Sequence, residues 1–343
     1  MHCNVATRAT NDLRQAPDSP PLMTENRPIY VRLPNWIGDV CMALPSLQLL
    51  LDTERPVVVC ARPWAKALLS GYALHGFIPM TGQWRADRRA VSTFKNTHDH
   101  TGVNHPVGLL LPDSLSSALV FRLAAIPSAG YRDDGRSLLL RWPTSKPQPR
   151  PHAVESWYGL TRNAILQWHA GQPAAAAPPA LGLQLRPEAI QKARQTLDEA
   201  GLGSRPFVLV APTATGLHKG KVKVWPHFAP LTRRLQENGL TVLMCPPPNE
   251  HDAALANAPD AICLPALPLD AFAALTKMAS LVICNDSGVS HLAAAASAQQ
   301  ITLFGVTDRE RTGPWSARAV CLGEMGHWPE LDNVVEKAIS LAA

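Results

Sequence analysis

The chain has 343 residues, a formal net charge of +5, and 46% hydrophobic against 17% charged residues. That length accommodates two domains with substantial cores, and no run approaches the ~20 apolar residues of a membrane-spanning helix. Charge is unevenly placed: residues 1–160 hold 17 Lys and Arg against 12 Asp and Glu, while residues 161–343 hold 15 of each. The excess is either a solvated surface or suits an anionic partner such as lipid head groups or an acidic sugar. The basic residues are scattered and no recognised binding motif occurs, which argues against nucleic acid.

Residues 1–26 contain no apolar core, so they are not a secretory signal. They read as a disordered tail, with Met23 a candidate start. Residues 27–170 read as one doubly wound α/β domain. Strands are expected at 29–33, 57–60, 76–80, 107–111 and 129–131. Helices are expected at 40–51, 64–69, 114–125 and 153–168, with Asp113 near the cap of the third. Pro45 should kink or shorten the first of these helices. The polar stretch 83–104 suggests a helix followed by a mobile loop, and its histidines and neighbours, His98, His100 and His105, read as solvated. Residues 143–151 read as a break, and the Pro- and Ala-rich segment 171–182 as an interdomain linker.

Residues 183–330 repeat the pattern. A helix at 187–201 precedes a buried strand at 207–211. A polar loop at 212–224 carries lysines 219, 221 and 223. A helix at 225–238 follows, with Pro226 in its first turn. Strands are expected at 241–245 and 261–264, and helices at 250–256 and 269–279. The run 281–304 is a strand–turn–helix–strand unit that completes the sheet. Residues 331–343 form a terminal helix. The seven cysteines include no C-x-x-C pair, so buried reduced thiols are expected and no zinc signature is present.

Three places carry chemistry. Gly38-Asp39 follows a strand and opens a helix, so Asp39 is either a capping carboxylate or one facing a cleft at the sheet's carboxyl edge. The loop at 213–223 brings hydroxyls and cations to a strand end, which suits a diphosphate. It is one residue short of a P-loop, and Val222 stands where a metal-binding hydroxyl belongs. Asn285-Asp286-Ser287-Gly288 with His291 opens a helix whose N-terminus can meet an anion; Asp286 or Ser287 can cap it. Glu250 follows a strand-end loop and is placed to accept from a ribose hydroxyl. No G-x-G-x-x-G fingerprint occurs, which counts against a standard NAD dehydrogenase.

Taken together, these residues resemble a known family. Asn285-Asp286-Ser287-Gly288-x-x-His291, Leu303-Phe304-Gly305-x-Thr307 and Thr312-Gly313-Pro314 resemble the hallmark of the bacterial family 9 glycosyltransferases, the ADP-heptose:lipopolysaccharide heptosyltransferases. Arg32-Leu33-Pro34-Asn35-Trp36-Ile37-Gly38-Asp39 resembles their N-terminal Gly-Asp motif, and Lys223-Val224-Trp225-Pro226 their Lys-x-Trp-Pro motif.

The resemblance implies a GT-B fold, two Rossmann-like lobes with a cleft between them. It implies inverting transfer without a metal or cofactor, from ADP-heptose to the inner core of lipopolysaccharide (Kdo or heptose on lipid A). It implies work at the cytoplasmic inner face of the inner membrane, as a peripheral protein. Asp39 would be the general base. Thr213, Thr215, Lys223, Glu250, Asp286, Ser287, Gly288, His291, Thr307 and Asp308 would bind the donor, with Lys219 and Lys221 competing with Lys223. The Trp-x-Gly-Asp form leans toward the second-heptose type. The alternatives are a relative with another donor or acceptor, and a sugar-nucleotide-binding protein without turnover.

Overall fold

Short apolar runs become strands because helices cover both sheet faces. The computed structural model describes residues 27–98, 105–133, 135–214, 217–218 and 220–342. The tail at 1–26, the latter part of the 83–104 stretch with His100, and Thr215 and Lys219 lie outside them.

The first lobe contains β1 (Ile29–Arg32), α1 (Ile37–Met42), α2 (Leu44–Leu51), β2 (Val57–Ala61), α3 (Ala65–Leu68), β3 (Gly76–Pro79), α4 (Trp84–His98), β4 (Val107–Leu110), α5 (Leu115–Leu123), β5 (Ser128–Tyr131), β6 (Trp142–Thr144) and α6 (Ala153–Gln167). Its strands are all parallel, in the order β3-β2-β1-β4-β5-β6. The second lobe contains α7 (Pro187–Glu199), β7 (Val208–Ala211), β8 (Leu217–His218), β9 (Lys221–Val222), α8 (Phe228–Glu237), β10 (Val242–Met244), α9 (His251–Asn257), β11 (Ile262–Cys263), α10 (Leu269–Met278), β12 (Leu281–Asn285), α11 (Gly288–Ala295), β13 (Gln300–Leu303), α12 (Arg309–Thr312), β14 (Ala319–Leu322) and α13 (Leu331–Ala342). Its main sheet runs β11-β10-β7-β12-β13-β14, also parallel. Setting aside the small β8–β9 hairpin, both sheets have the same doubly wound order, with a switch point between β1 and β4 and another between β7 and β12. Two Rossmann-like lobes of this kind make the GT-B arrangement. No helix among the described residues is long and apolar enough to cross a membrane.

Several expectations need correction. The 143–151 break begins one residue inside an edge strand: Trp142–Thr144 pairs with β5, and Pro143 is tolerated because an edge strand needs only one side of its ladder. Pro45 interrupts the 40–51 helix as expected, with α1 ending at Met42 and Pro45 in the first turn of α2; the difference is that α1 starts earlier, at Ile37. The helix after Pro226 starts three residues late, at Phe228, because Trp225 is held by another strand. The polar loop at 212–224 contains the β8–β9 hairpin, turning at Gly220 with φ +79°. The 281–304 unit does not complete its sheet; β14 adds an outer strand. Ser114, not Asp113, caps α5, and Asp113 instead pairs with Lys146 and Arg136.

The first sheet has two cores. On one face Tyr30, Val58 and Cys60 meet Val91 of α4 and Phe121 of α5. On the other, Ile29, Val31, Val57 and Val59 meet α1, α2 and α6, and this core continues into Leu292, Ala294 and Ala295 of α11. One hydrophobic cluster therefore joins the lobes. At its rim α1 and α11 meet through glycines. A Cβ on Gly38 would lie 2.5 Å from Cδ2 of His291, and one on Gly288 would lie 3.2 Å from Cβ of Ile37.

Gly38→Ala is expected to destabilise the fold by about 1–3 kcal/mol through overpacking. Because the obstacle is one ring, Gly38→Ala in a His291→Ala background should cost much less. Denaturant unfolding of the four proteins in that cycle checks the coupling, and strictly additive losses would contradict it.

Candidate active site

β1 ends in a turn that positions Asp39. Arg32 is 4% exposed, yet its guanidinium has partners: it donates to the carbonyl of Leu33 and, at 2.6 Å, to Asn35 Oδ1. These bonds shape residues 33–36, from which α1 departs. Trp36 is the N-cap and makes no side-chain cap bond, so Asp39 lies in the first turn and is not the cap. Among the described residues its carboxylate has no hydrogen-bond or ion-pair partner. Burial pushes its pKa up to about 6, and no cation offsets that shift. Asp39 directly follows the glycine that touches His291.

Across the junction, β12 leads into α11. Ser287 caps that helix, its Oγ accepting from the N–H of Val289 at 3.3 Å. Asp286 does not cap; its carboxylate accepts from Thr307 Oγ1 at 2.6 Å, and both residues are buried. The Thr307 loop at the end of β13 is thereby tied to the end of β12. His291 is buried and its Nδ1 has no partner among the described residues. Burial holds its pKa down to about 4; Asp286 opposes the shift, while His152 and Lys223 add to it. The imidazole is neutral at neutral pH, and groups from three separate stretches of the chain, His152, Lys223 and Asp286 with His291, share one electrostatic neighbourhood.

The phosphate-loop candidates are positioned by Asn285. Its Oδ1 accepts from the N–H of Trp225 at 2.8 Å, and its Nδ2 donates to the carbonyls of Thr213 at 3.3 Å and Ala211 at 3.5 Å. Trp225 is fully buried and donates its Nε1–H to the carbonyl of Pro329 at 2.9 Å. Lys223 therefore sits two residues from a fixed point. Lys221 is in the hairpin, farther from that anchor. Thr213 donates its hydroxyl to Glu250, linking the ends of β7 and β10. Beside Glu250, Pro246, Pro248, His251, Cys263, Leu264 and Pro265 line a cavity of about 520 Å³. Asp308 stands apart: it is exposed and caps the short α12 by accepting from the N–H of Glu310 at 2.9 Å. Among the described residues, no group of three or more His, Cys, Asp and Glu side chains has the arrangement of a metal site.

Sequence reasoning gave no role to three of the residues that build this site. Arg32 and Asn285 stand inside motifs, but their work is to hold backbone, which spacing does not reveal. His152 is the third. Its Nδ1 accepts from the N–H of Val154 at 3.2 Å, so Nε2 carries the proton and donates to the carbonyl of Gly313 at 3.0 Å. Its ring packs on Trp315, with centroids 4.8 Å apart. A histidine at a helix N-cap was the one available signal, since Ser, Thr, Asp and Asn are preferred there.

Asn285→Ala is expected to lower stability by about 2–3 kcal/mol, because it leaves the buried N–H of Trp225 unpaired. Chemical denaturation checks this, and a loss below about 0.5 kcal/mol, the scale of an ordinary surface change, would contradict the anchoring role.

Residues 101–339, more than half of the chain, match glycosyltransferase family 9 (heptosyltransferase). The chain is 29% identical over 313 residues to lipopolysaccharide heptosyltransferase 2 of Escherichia coli (strain K12), covering 85% of this chain and 86% of that one. It is 26% identical over 321 residues to lipooligosaccharide heptosyltransferase 2 of Haemophilus influenzae, covering 84% and 86%. Among solved structures, the E. coli ADP-heptose lipopolysaccharide heptosyltransferase II aligns with a TM-score of 0.73 and 25% identity, over 92% of this chain and 98% of that one. A family 9 glycosyl transferase from Veillonella parvula aligns with a TM-score of 0.77 over 93% and 98%, and at 15% identity it bears on the fold alone. Shared motifs, shared fold and the family match agree: the chain belongs to glycosyltransferase family 9, the heptosyltransferases.

Proposed function

We propose that this protein transfers L-glycero-D-manno-heptose from ADP-heptose to the inner core of lipopolysaccharide, at the second-heptose step, with inversion and without a metal. The reading is carried by one observation: a half-buried, unpartnered carboxylate, raised to about 6, next to the point where the two lobes touch. The names of the relatives supply the substrates.

In this reading Asp39 is the general base. An acceptor hydroxyl is a weak nucleophile until its proton leaves as it attacks. The hydroxyl oxygen bonds to the anomeric carbon, the bond from that carbon to the β-phosphate oxygen breaks, and the proton passes to Asp39. ADP departs from the opposite face, so configuration inverts. Lys223 and the N–H groups that open α11 meet the leaving diphosphate, the role a metal would otherwise fill. The bonded pair Asp286 and Thr307 faces the heptose, with Ser287, Gly288 and neutral His291 lining the same pocket. Thr213 and Glu250 hold the ribose, with Asp308 at the rim, and Thr215 is a further donor-binding residue of this reading. The cavity beside Glu250 seats the adenine, its prolines forming the apolar wall. The acceptor is lipid-anchored and anionic, so the protein works at the cytoplasmic face of the inner membrane, where its basic first lobe is favoured.

Asp39→Asn separates this role from a structural one. Transfer should fall at least about 100-fold, while calorimetry shows ADP-heptose binding retained. Stability should rise. The folded-state pKa exceeds the unfolded value near 4, so ionisation opposes folding; that cost is absent below about pH 4 and grows until about pH 6. At pH 7.5 the variant should gain on the order of 2 kcal/mol, with no gain at pH 4. Normal turnover in the variant would remove Asp39 from the mechanism.

A further inference from the structure

The outer face of the first lobe carries a surface the reaction does not use. α4 and α5 pack together over the Tyr30, Val58 and Cys60 side of the sheet, the side turned away from the second lobe. Eight large hydrophobic side chains are exposed among the described residues, and four lie on this layer: Trp84 (39%), Leu115 (50%), Leu123 (44%) and Leu138 (89%). Leu115 and Leu123 are eight residues apart on α5, with half-buried Leu119 between them, which makes one helical stripe. Leu138 ends a short turn beside Leu139 and Leu140, which pack into the same core.

The polar groups on the two helices have one sign, and the exposed carboxylates beside them, Asp113 and Asp133, are already paired with Lys146. Arg85, Arg88 and Arg89 of α4 and Arg122 of α5 are all exposed, and none makes an ion pair among the described residues. Neither helix presents a carboxylate to solvent. The one acid they contain, Asp87, is buried and accepts from the N–H groups of Thr81 and Gly82 at 2.7 and 3.0 Å and from the Thr81 hydroxyl at 2.8 Å. Arg85 lies over the Trp84 ring, 5.1 Å from its centroid. Arg88 Nε donates to the carbonyl of Leu123 at 3.4 Å, which places the arginine row against the leucine stripe.

We infer that the α4–α5 face is the surface by which this protein docks on an anionic phospholipid bilayer. Trp and Leu side chains suit the boundary between head groups and acyl chains, and arginines that keep their charge in the head-group layer suit anionic lipid. A protein partner of ordinary surface would match the leucines but not an array of arginines without a counter-charge. Position supports the same occupant. α4 and α5 begin just after the carboxyl ends of β3 and β4, the edge of the sheet that borders the cleft. A bilayer on this face leaves the second lobe free and brings the rim of the cleft to the membrane. The inference deepens the proposed function and rests on it for the identity of the lipid-anchored substrate, but not for the docking itself.

Flotation of the full chain with vesicles tests it. Vesicles of phosphatidylcholine with phosphatidylglycerol should bind the protein, and vesicles of phosphatidylcholine alone should not. Arg85→Ala/Arg89→Ala should weaken that binding by about 30-fold, from ~1 kcal/mol per basic side chain at an anionic surface. Trp84→Ala/Leu138→Ser should weaken it through the apolar component. Both variants change exposed side chains and should keep transfer to a soluble inner-core fragment. Equal binding to both vesicle types, or unaltered binding by both variants, overturns the inference, even where heptose transfer is normal. Residue-dependent binding to anionic vesicles in a protein that transfers no heptose would uphold the surface while the proposed function falls.

Discussion

The site depends on two helix N-termini meeting at glycines, each packed against a side chain of the other helix. Gly38 lies in the first turn of one lobe's helix and Gly288 opens the other's, and the His291 ring fills the space a Cβ at residue 38 would need. Each helix follows the strand at its sheet's switch point, where doubly wound folds expose their binding edge. Close approach therefore brings two binding edges into one volume. Asp39 stands beside that junction, and its partial burial raises its pKa to about 6.

The second lobe solves a different problem, that of holding several loops in fixed relation. Asn285 does this with one side chain, taking the N–H of Trp225 and giving to the carbonyls of Ala211 and Thr213. The Asp286–Thr307 bond adds the loop after β13, and the Thr213–Glu250 bond adds the end of β10. His152 then crosses from the first lobe to Gly313. A pocket assembled from four strand ends needs such ties, because each loop alone is free to move.

Much of this was legible in the sequence, and the failures have physical reasons. The buried parallel strands read as apolar runs, and the Gly38-Asp39 and Asp286–Gly288 turns announced themselves by residue type. Pro45 correctly divided its helix. Pro143 misled because a proline argues against a strand, and nothing local says that the strand lies at an edge. Trp225 looked like a helix residue until a bond from Asn285, sixty positions away, held it outside. The roles of Arg32, His152 and Asn285 depend on partners that only folding supplies. Asp286 and Ser287 were interchangeable as caps by type; the Thr307 hydroxyl decides between them.

The central claim is that a desolvated Asp39, ionised at working pH, takes the acceptor's proton. The pH dependence of kcat/KM, which reports the free enzyme, tests it most directly. The account predicts that kcat/KM rises with pH through a single ionisation near 6 and then levels. A profile that stays flat from about pH 5 to 8, across the range where a carboxylate so shifted must titrate, would contradict it.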